Sequence, residues 1–449
     1  VAASAQCVSG TTTVSVRSSF PNRAANAVAW NGTALAVAKT ENVLTHPIYV
    51  SLYSDALGRL TDDVQVAPGS NNGPLALLWN GTEFGLFYQN QNLRLVLQRI
   101  SAEGQPIGSG VIVAPARPVF AADEFDITWD AHRQAYAIAR VAAQGPDRGL
   151  WFWSVRPDGT IAAELQLYFF LATPAHPHIA VTANGTTGII FDHSAGGIYY
   201  IAIAPDNTFT LAQLLPTIGH DARLAVRGNT FAIASTAVTN AGNAIRWLRF
   251  NANGTALAPE STIFVSPREV SLSSLIATDR EWALAYNDAP TGTPEYRLRR
   301  FEDDGTIISD AVFSPDHLTT SLSTRYPFVW TGTSYISPVA LFVNNTQGSD
   351  SYLIRNCPLR GTPVPNATLV AILDTVQFTA DVSGGKPAYK YFWDFGDFST
   401  PSTFEAPTHK YDRTGTYTVT LTVVDAVGAT SVETATVRVI REKRRVVRK

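Results

Sequence analysis

Two short clusters of ionisable residues have the side-chain types from which a catalytic or metal site could be built. Asp123, Glu124 and Asp126 lie close together before a predicted strand, and glycoside hydrolysis uses a pair of carboxylates. His176 and His178 are two residues apart on a predicted strand, so both would face one side and could share a metal ion. No Cys or third His lies near them, and solvated loop residues remain the default interpretation of the acids.

The chain lacks the sequence patterns that usually accompany catalysis. We find no sialidase-type Ser-x-Asp-x-Gly-x-Thr-Trp box, no Gly-x-Ser-x-Gly, no His-Glu-x-x-His and no phosphate-binding loop. The acidic stretch 302–304 lacks the alternating oxygen ligands of a calcium loop, so we expect a solvated turn there. We therefore predict no enzymatic activity, no bound metal and no cofactor.

An aromatic-rich stretch could bind a partner by stacking. Trp151 and Trp153 are the candidate interaction residues, since exposed rings could stack on sugar rings or dock against another protein. Alternate strand residues face opposite sides, so about half of the aromatic residues are expected in the core. The other members of the stretch are Phe152, Tyr168, Phe169, Phe170, Tyr199 and Tyr200.

Charge is unevenly distributed along the chain. The formal net charge is −3, while the tail 441–449 is strongly basic, so the remainder is acidic. This contrast favours docking on an anionic surface or on an acidic neighbouring copy, with a plain solvated end as the alternative. The basic residues of the tail are Arg441, Lys443, Arg444, Arg445, Arg448 and Lys449.

Several classes of protein are disfavoured by these features. The slightly acidic chain gives no case for nucleic-acid binding. The longest apolar runs fall far short of the roughly 18 residues that span a membrane, so we predict no membrane insertion.

The chain begins with Val1, and Ala2-Ala3-Ser4-Ala5 resembles the small-residue end of a secretory signal. We expect an exported protein whose signal peptide has been removed.

A phrase repeated seven times indicates the architecture that positions these residues. In the first copy an apolar run ends in a turn at Trp30-Asn31-Gly32-Thr33. Similar segments recur at a mean spacing of about 50 residues, and the seventh ends at Trp330-Thr331-Gly332-Thr333. Each repeat contains four predicted strands, with Asn-Gly pairs suited to tight hairpins. The second strand is apolar throughout, as if covered on both faces. The sequence predicts a seven-bladed β-propeller.

The last repeat is incomplete, and the N-terminus supplies what it lacks. No fourth strand follows Asn356, whereas 9–16 reads as a Gly turn leading into such a strand. Pairing the N-terminal strand into the last blade would remove an open sheet edge. Cys7 and Cys357 fall at this seam, so we predict a disulfide between them. Closing so long a loop would stabilise the fold by about 5 kcal/mol at most.

The C-terminal part contains two motifs that the repeats lack, Trp393-Asp394-Phe395-Gly396-Asp397 and the segment from Tyr411 to Leu421. Through these motifs it resembles the PKD family of immunoglobulin-like β-sandwiches. The resemblance implies a non-catalytic module common in secreted bacterial and archaeal surface proteins. It also implies that Asp394 and Asp397 hydrogen-bond turns, with ion binding as the weaker alternative.

The repeats themselves resemble those of large exported proteins of myxobacteria and related bacteria. We predict an all-β chain with the propeller at 1–357, a proline-rich linker at 358–365, the PKD sandwich at 366–440 and the basic tail. The expected function is a non-catalytic scaffold or interaction protein of the cell surface or extracellular matrix, with protein partners or self-assembly. Glycan binding by the propeller and activity on polysaccharides are the alternatives.

Overall fold

All the regular secondary structure among the residues that the structure describes consists of β-strands. The computed structural model describes residues 11–15, 23–41, 45–70, 75–113, 124–142, 148–168, 174–193, 196–288, 295–312, 328–342, 349–385, 387–426 and 430–441. These divide into two compact units: the first covers 13–331 with 335–354, and the second contains 355–441 together with 11–12 and 332–334.

Seven four-stranded antiparallel sheets account for β1–β28. In the first six sheets, four strands that follow one another in the chain lie side by side in chain order. The first three sheets contain β2 Arg23–Trp30, β3 Leu35–Glu41, β4 Ile48–Tyr53 and β5 Val64–Ala67; β6 Ala76–Trp79, β7 Phe84–Gln89, β8 Leu95–Ile100 and β9 Pro106–Ile112; and β10 Glu124–Asp130, β11 Ala135–Ala142, β12 Gly149–Val155 and β13 Ile161–Tyr168.

The next three sheets follow the same plan. They contain β14 Pro174–Val181, β15 Thr187–His193, β16 Ile198–Ile203 and β17 Gln213–Leu214; β18 His220–Arg227, β19 Thr230–Thr239, β20 Gly242–Phe250 and β21 Ser261–Ser266; and β22 Val270–Ala277, β23 Trp282–Asp288, β24 Glu295–Phe301 and β25 Ile307–Val312.

The seventh sheet combines both ends of this part of the chain. Its order is β1-β28-β27-β26, so the N-terminal strand forms its outer edge as the sequence predicts. Its strands are β1 Thr11–Ser15, β26 Val329–Trp330, β27 Tyr335–Phe342 and β28 Ser349–Asn356. Cys7 lies outside the described residues, and Cys357 is buried directly after β28. The Cys7–Cys357 disulfide stays a prediction.

The Asn-Gly-Thr phrases that begin at Asn31, Asn80 and Asn184 form the turns between the first two strands of a sheet, as predicted. The Asn31 side-chain Oδ1 accepts hydrogen bonds from the backbone nitrogens of Thr33 and Ala34, at 2.9 and 2.7 Å. Gly32 has a φ of +96°, which is accessible to glycine at little cost. The side chain and the glycine together fix a tight turn, because the amide replaces a backbone acceptor.

Hydrophobic clusters join each sheet to the next one along the chain. The first strands of neighbouring sheets also pack on one another, as β10 does on β14 and β14 on β18. The seventh cluster joins the last sheet back to the first, with Leu35 and Val37 packed with Ile336 and Leu353. The sheets are therefore covered on both faces, which explains why the second strands are apolar throughout.

The second unit is a sandwich of two small sheets. One sheet has the order β29-β31-β33, and the other has the order β30-β35-β34-β32 with β30 parallel to β35. The strands are β29 Arg360–Pro365, β30 Leu369–Ala371, β31 Thr375–Ser383, β32 Lys390–Asp394, β33 Thr408–Lys410, β34 Gly415–Val424 and β35 Thr430–Ile440. Trp393, fully buried, lies in the core between them.

The linker prediction at 358–365 is wrong over most of its length. Residues Arg360–Pro365 form β29, which pairs antiparallel with β31 from Arg360↔Ser383 to Pro365↔Phe378. Proline lacks a backbone donor and is tolerated only where that donor is not needed, as on an edge strand. β29 is an edge strand, so its prolines are tolerated there. The prediction of a linker was wrong because it took the high proline content as evidence against a strand.

Candidate functional site

Irregular first strands create the candidate site. The β14–β15 pairing shifts between Ala175 and His178, and the β18–β19 pairing shifts between His220 and Arg223. At these two bulges His176 and Asp221 adopt left-handed backbone conformations, with φ of 50° and 48°. Bulges of this kind re-aim side chains and are common beside functional sites.

Six side chains from β10, β14, β15 and β18 meet around these bulges, and we call them the first-strand cluster. Asp126, His178 and Arg223 form one line through it. His178 Nδ1 lies 3.3 Å from Asp126 Oδ2, and Arg223 Nη1 lies 3.4 Å from His178 Nε2. The cluster consists of Asp126, His176, His178, Asp192, Asp221 and Arg223.

The contacts of His178 assign its hydrogen-bonding roles. A guanidinium group can only donate, so Nε2 of His178 accepts from Arg223, and Nδ1 carries the proton towards Asp126. Asp126 Oδ2 also accepts from the backbone nitrogen of Ile179 at 3.0 Å. Asp126 therefore holds both the imidazole and the backbone of the neighbouring sheet.

Arg223 ties the fifth sheet to the sixth. Its side chain is 3% exposed, and its Nε donates to the carbonyl of Ser273 at 3.0 Å while Nη2 donates to that of Leu272 at 2.5 Å. Nη1 also donates to Asp221 Oδ1 at 2.9 Å. Because these contacts use most of its donors, Arg223 positions its neighbours and does not present a cation to solvent.

A second line of contacts runs through Asp192. His176 Nδ1 lies 3.0 Å from Asp192 Oδ2, and the same oxygen accepts from the backbone nitrogen of Asp221 at 2.9 Å. The side chains of Asp126 and His176 are each 36% exposed. The cluster thus offers solvent-accessible carboxylate and imidazole groups whose positions are fixed by the backbone of adjoining sheets.

The structure combines the two sequence clusters only in part. Asp126 contacts His178. Asp123 and the side chain of Glu124 lie outside the part of the chain that the structure describes. His176 and His178 contact different carboxylates, Asp192 and Asp126. Among the side chains that the structure describes, no group of three or more His, Cys, Asp or Glu is placed to hold a metal ion.

Aromatic rings lie on the face of the fourth sheet opposite Asp192, because alternate strand residues face opposite sides. Asp192 lies on β15 between Phe191 and His193; the Phe191 ring is 5.3 Å from Tyr168, and the His193 ring is 4.9 Å from Tyr199. Tyr168, His193 and Tyr199 are each partly exposed. Sequence reasoning proposed the two tyrosines but missed Asp192 and His193, since nothing in their local sequence marks them.

Trp151 and Trp153 do not offer rings to a partner. Their exposed fractions are 7% and 1%, and Trp153 packs in the cluster between the second and third sheets. The expectation that alternation would expose part of this strand is wrong, because every residue of β12 is buried. The third sheet is covered on both faces, so alternation along β12 does not separate core from surface.

The basic tail is outside the part of the chain that can be described, apart from its first residue. Arg441 is exposed. Lys443, Arg444, Arg445, Arg448 and Lys449 lie outside the described residues, so their role stays a prediction. Over the described ranges, no helix is long and apolar enough to cross a membrane.

The aspartates of the second unit stabilise turns, as the sequence resemblance implies. Asp394 Oδ1 accepts from the backbone nitrogen of Gly396 at 2.8 Å. Asp397 Oδ1 accepts from the Ser399 hydroxyl at 2.6 Å, and its Oδ2 lies 2.7 Å from His409 Nε2. These contacts around the buried Trp393 account for the spacing of the Trp-Asp-Phe-Gly-Asp phrase.

Residues 361–440 match the family model of the PKD domain. This part of the chain is a PKD domain. Its strands β29 to β35 all fall within or next to the matched range, which confirms the resemblance stated from the sequence. The PKD1 domain of Vibrio anguillarum Epp is 35% identical, covering 17% of this chain and 93% of its own, with a TM-score of 0.14.

Two further solved structures are similar to larger parts of the chain. A subtype N10 neuraminidase-like protein of A/little yellow-shouldered bat/Guatemala/060/2010 is 9% identical, covering 78% of this chain and 98% of its own, with a TM-score of 0.41. The polysaccharide lyase Uly1 is 9% identical, covering 74% of this chain and 90% of its own, with a TM-score of 0.49. Neither similarity assigns an activity to this chain.

Proposed function

We propose that residues 1–357 form a closed seven-bladed β-propeller and that the chain is a non-catalytic interaction protein of the cell surface or extracellular space. Each four-stranded sheet would be one blade. The hydrophobic cluster between the seventh and first sheets supports closure of the ring. So does the hydrogen bond of 2.6 Å from Thr331 Oγ1 to Asp55 Oδ1, which joins the same two sheets.

The PKD domain is the observation that carries the functional proposal. PKD domains are typical of extracellular proteins and are commonly involved in interactions, and this one has a complete buried core of its own. An exported chain with two β-rich modules is suited to holding partners apart or together. Export and removal of a signal peptide are part of this proposal.

The first-strand cluster is the proposed contact site of the propeller. Its accessible carboxylates and imidazole are held by hydrogen bonds to the backbone of adjoining sheets, as Asp126 is by Ile179 and Asp192 by Asp221. Such groups are pre-organised, so a partner would lose little freedom in ordering them.

A protein partner, including a second copy of the chain, is the first candidate. The basic tail and acidic remainder are complementary in charge, and an interaction between them would be screened by salt. Size-exclusion chromatography with light scattering at low and high salt tests this on the full chain and on a chain ending at Ile440. We expect oligomers at low salt that disappear at high salt and in the shortened chain. The mass of the monomer under all four conditions would contradict self-assembly.

Glycan binding is the second candidate, favoured by the partly exposed rings of Tyr168, His193 and Tyr199. Exposed rings can stack on the apolar faces of sugars. If the chain is monomeric throughout, retention of the full chain on a glycan array would support this candidate. The double variant Tyr168→Ala with Tyr199→Ala should then lose retention, whereas the variant Trp151→Phe, altered only in the core, should keep it.

A further inference from the structure

The same three residues, Asn-Gly-Thr, stand at four described turns in different surroundings. The asparagines are Asn31, Asn80, Asn184 and Asn253. Because the local sequence is identical, any difference in the chemistry of these four residues must come from the folded structure. Asparagine followed by glycine is chemically reactive, since glycine has no Cβ to obstruct its own backbone nitrogen.

The reaction at such a pair is loss of the side-chain amide. The backbone nitrogen of the glycine gives up its proton and attacks Cγ of the asparagine, forming a new N–C bond in a five-membered succinimide. The bond from Cγ to the amide nitrogen breaks, and ammonia leaves with that proton. Water then opens the ring to aspartate or isoaspartate, so no oxidant or reductant takes part.

Asn80 is the most protected of the four. Its Oδ1 accepts from the backbone nitrogens of Thr82 and Glu83, each at 2.9 Å, and from the Thr82 hydroxyl at 3.0 Å. Its Nδ2 donates to the Tyr136 hydroxyl at 3.2 Å. The residue is 8% exposed. The carboxamide must therefore break four hydrogen bonds in a buried site before it can rotate towards Gly81.

Asn31 and Asn184 are intermediate. Asn31 Oδ1 makes the same turn contacts, including the one with Ala34 at 2.7 Å, but the side chain has no donor contact like that of Asn80. Asn184 Oδ1 accepts from the Thr182 hydroxyl at 2.5 Å, and the nitrogen of Gly185 donates to the carbonyl of Thr182 at 2.9 Å.

Asn253 differs from the other three. Its turn is capped by Asn251, whose Oδ1 accepts from the backbone nitrogen of Asn253 at 2.9 Å. The carboxamide of Asn253 is therefore not needed for the turn; it is exposed, and it hydrogen-bonds to none of the residues that the structure describes. The Gly254 nitrogen, which must attack, is held by its donation to the Asn251 carbonyl at 2.9 Å, as the nitrogen of Gly185 is by the carbonyl of Thr182.

We propose that Asn253 is a site of spontaneous deamidation in the folded protein and that Asn80 resists the same reaction. The modification would have a structural effect between two sheets. Gln213 Nε2 of the fourth sheet donates to the Asn253 carbonyl at 2.7 Å. Isoaspartate lengthens the main chain at that residue and adds a negative charge, so this contact would be disturbed.

The test is peptide mapping by mass spectrometry of the full chain after incubation at mildly alkaline pH. We expect Asn253 to be converted at least about tenfold faster than Asn80, since several hydrogen bonds add to the barrier at Asn80. The chain incubated in denaturant is the matched control, because there the four identical phrases should react at similar rates. Equal rates at Asn253 and Asn80 in the folded chain would overturn the proposal. So would an unmodified Asn253 under conditions that convert it in the denatured chain.

Discussion

At the scale of single residues, the pair formed by Asp397 and His409 shows how a family phrase stabilises its domain. The His409 ring stacks on Phe395 with centroids 4.0 Å apart and donates to Asp397. Burial disfavours the charged carboxylate, but hydrogen bonds from Ser399 and His409 outweigh it and hold the pKa of Asp397 below its ordinary value. The ionised form of Asp397 is therefore the one that the folded domain prefers.

The lowered pKa of Asp397 predicts a pH-dependent contribution to stability. The contribution is present above the unfolded pKa of about 3.9 and is lost as pH falls through the lower folded pKa. Replacing Asp397→Asn should weaken the domain by about 1–3 kcal/mol at neutral pH, as for a hydrogen bond to a charged group. The difference from the wild type should shrink at about pH 3.

Hydrogen–deuterium exchange of the full chain measures this locally, on peptides that cover β31 and β33. Wild type and variant are compared at each pH, so the intrinsic exchange rates cancel. Asp412→Asn is the control, because Asp412 is an exposed neighbour. An effect of Asp397→Asn that stays constant from neutral to acidic pH would contradict the role assigned to the carboxylate.

Residues that stabilise turns were predictable from sequence, whereas residues that join sheets were not. The Asn31 turn, the contact of Asp394 with Gly396 and that of Asp397 with Ser399 involve neighbours within a few positions. Asp303, expected in a solvated turn, instead lies 2.8 Å from Arg249 and accepts from the Trp282 indole at 2.8 Å. Arg249 lies on β20 of the fifth sheet and Trp282 on β23 of the sixth. The residues next to Asp303 in the sequence therefore could not predict these contacts.

At the scale of elements, the second and sixth sheets contain the same ion pair in different surroundings. Glu83 binds Arg99 through two hydrogen bonds of 2.8 Å, and Glu281 binds Arg300 through two of 2.7 Å. The Arg99 side chain is 38% exposed, whereas that of Arg300 is 9% exposed. Glu281 also accepts from the Tyr335 hydroxyl of the seventh sheet at 2.6 Å.

The two pairs predict unequal costs for the same substitution. Glu281→Gln leaves a buried guanidinium without a counter-charge and should cost about 3–5 kcal/mol. Glu83→Gln should cost about 1 kcal/mol or less, because solvent stabilises the more exposed Arg99. Denaturant unfolding of the full chain, followed by hydrogen exchange in each sheet, measures both. Similar losses in the two variants would mean that burial does not set the strength of these pairs.

The number and order of strands followed from the repeated phrase, but their irregularities did not. The period and the apolar second strands indicated four strands a repeat, which the sheets confirm. At the bulges near His176 and Asp221, carboxylates of the preceding sheet accept hydrogen bonds from backbone nitrogens, Asp126 from Ile179 and Asp192 from Asp221. The bulges could not be predicted because the bonds that stabilise them come from side chains such as Asp126 and Asp192.

At the scale of the whole molecule, the proposed propeller is closed at the seventh sheet. The N-terminal strand β1 completes the sheet that contains β26, β27 and β28, so the last sheet needs both ends of this part of the chain. The repeat count predicted this arrangement because the last copy lacks a fourth strand. The same reasoning led to the predicted disulfide, because Cys7 precedes β1 in the sequence and Cys357 follows β28.

The most direct test of closure is disulfide mapping of the full chain, with free thiols blocked before digestion under non-reducing conditions. We expect one pair of peptides that is joined by a disulfide between Cys7 and Cys357 of the same chain, and we expect reduction to separate the two peptides. Reduction should also weaken the first unit, by at most about 5 kcal/mol in the chain-entropy model. Recovery of both cysteines as blocked free thiols, or linked between two chains, would contradict closure at this seam.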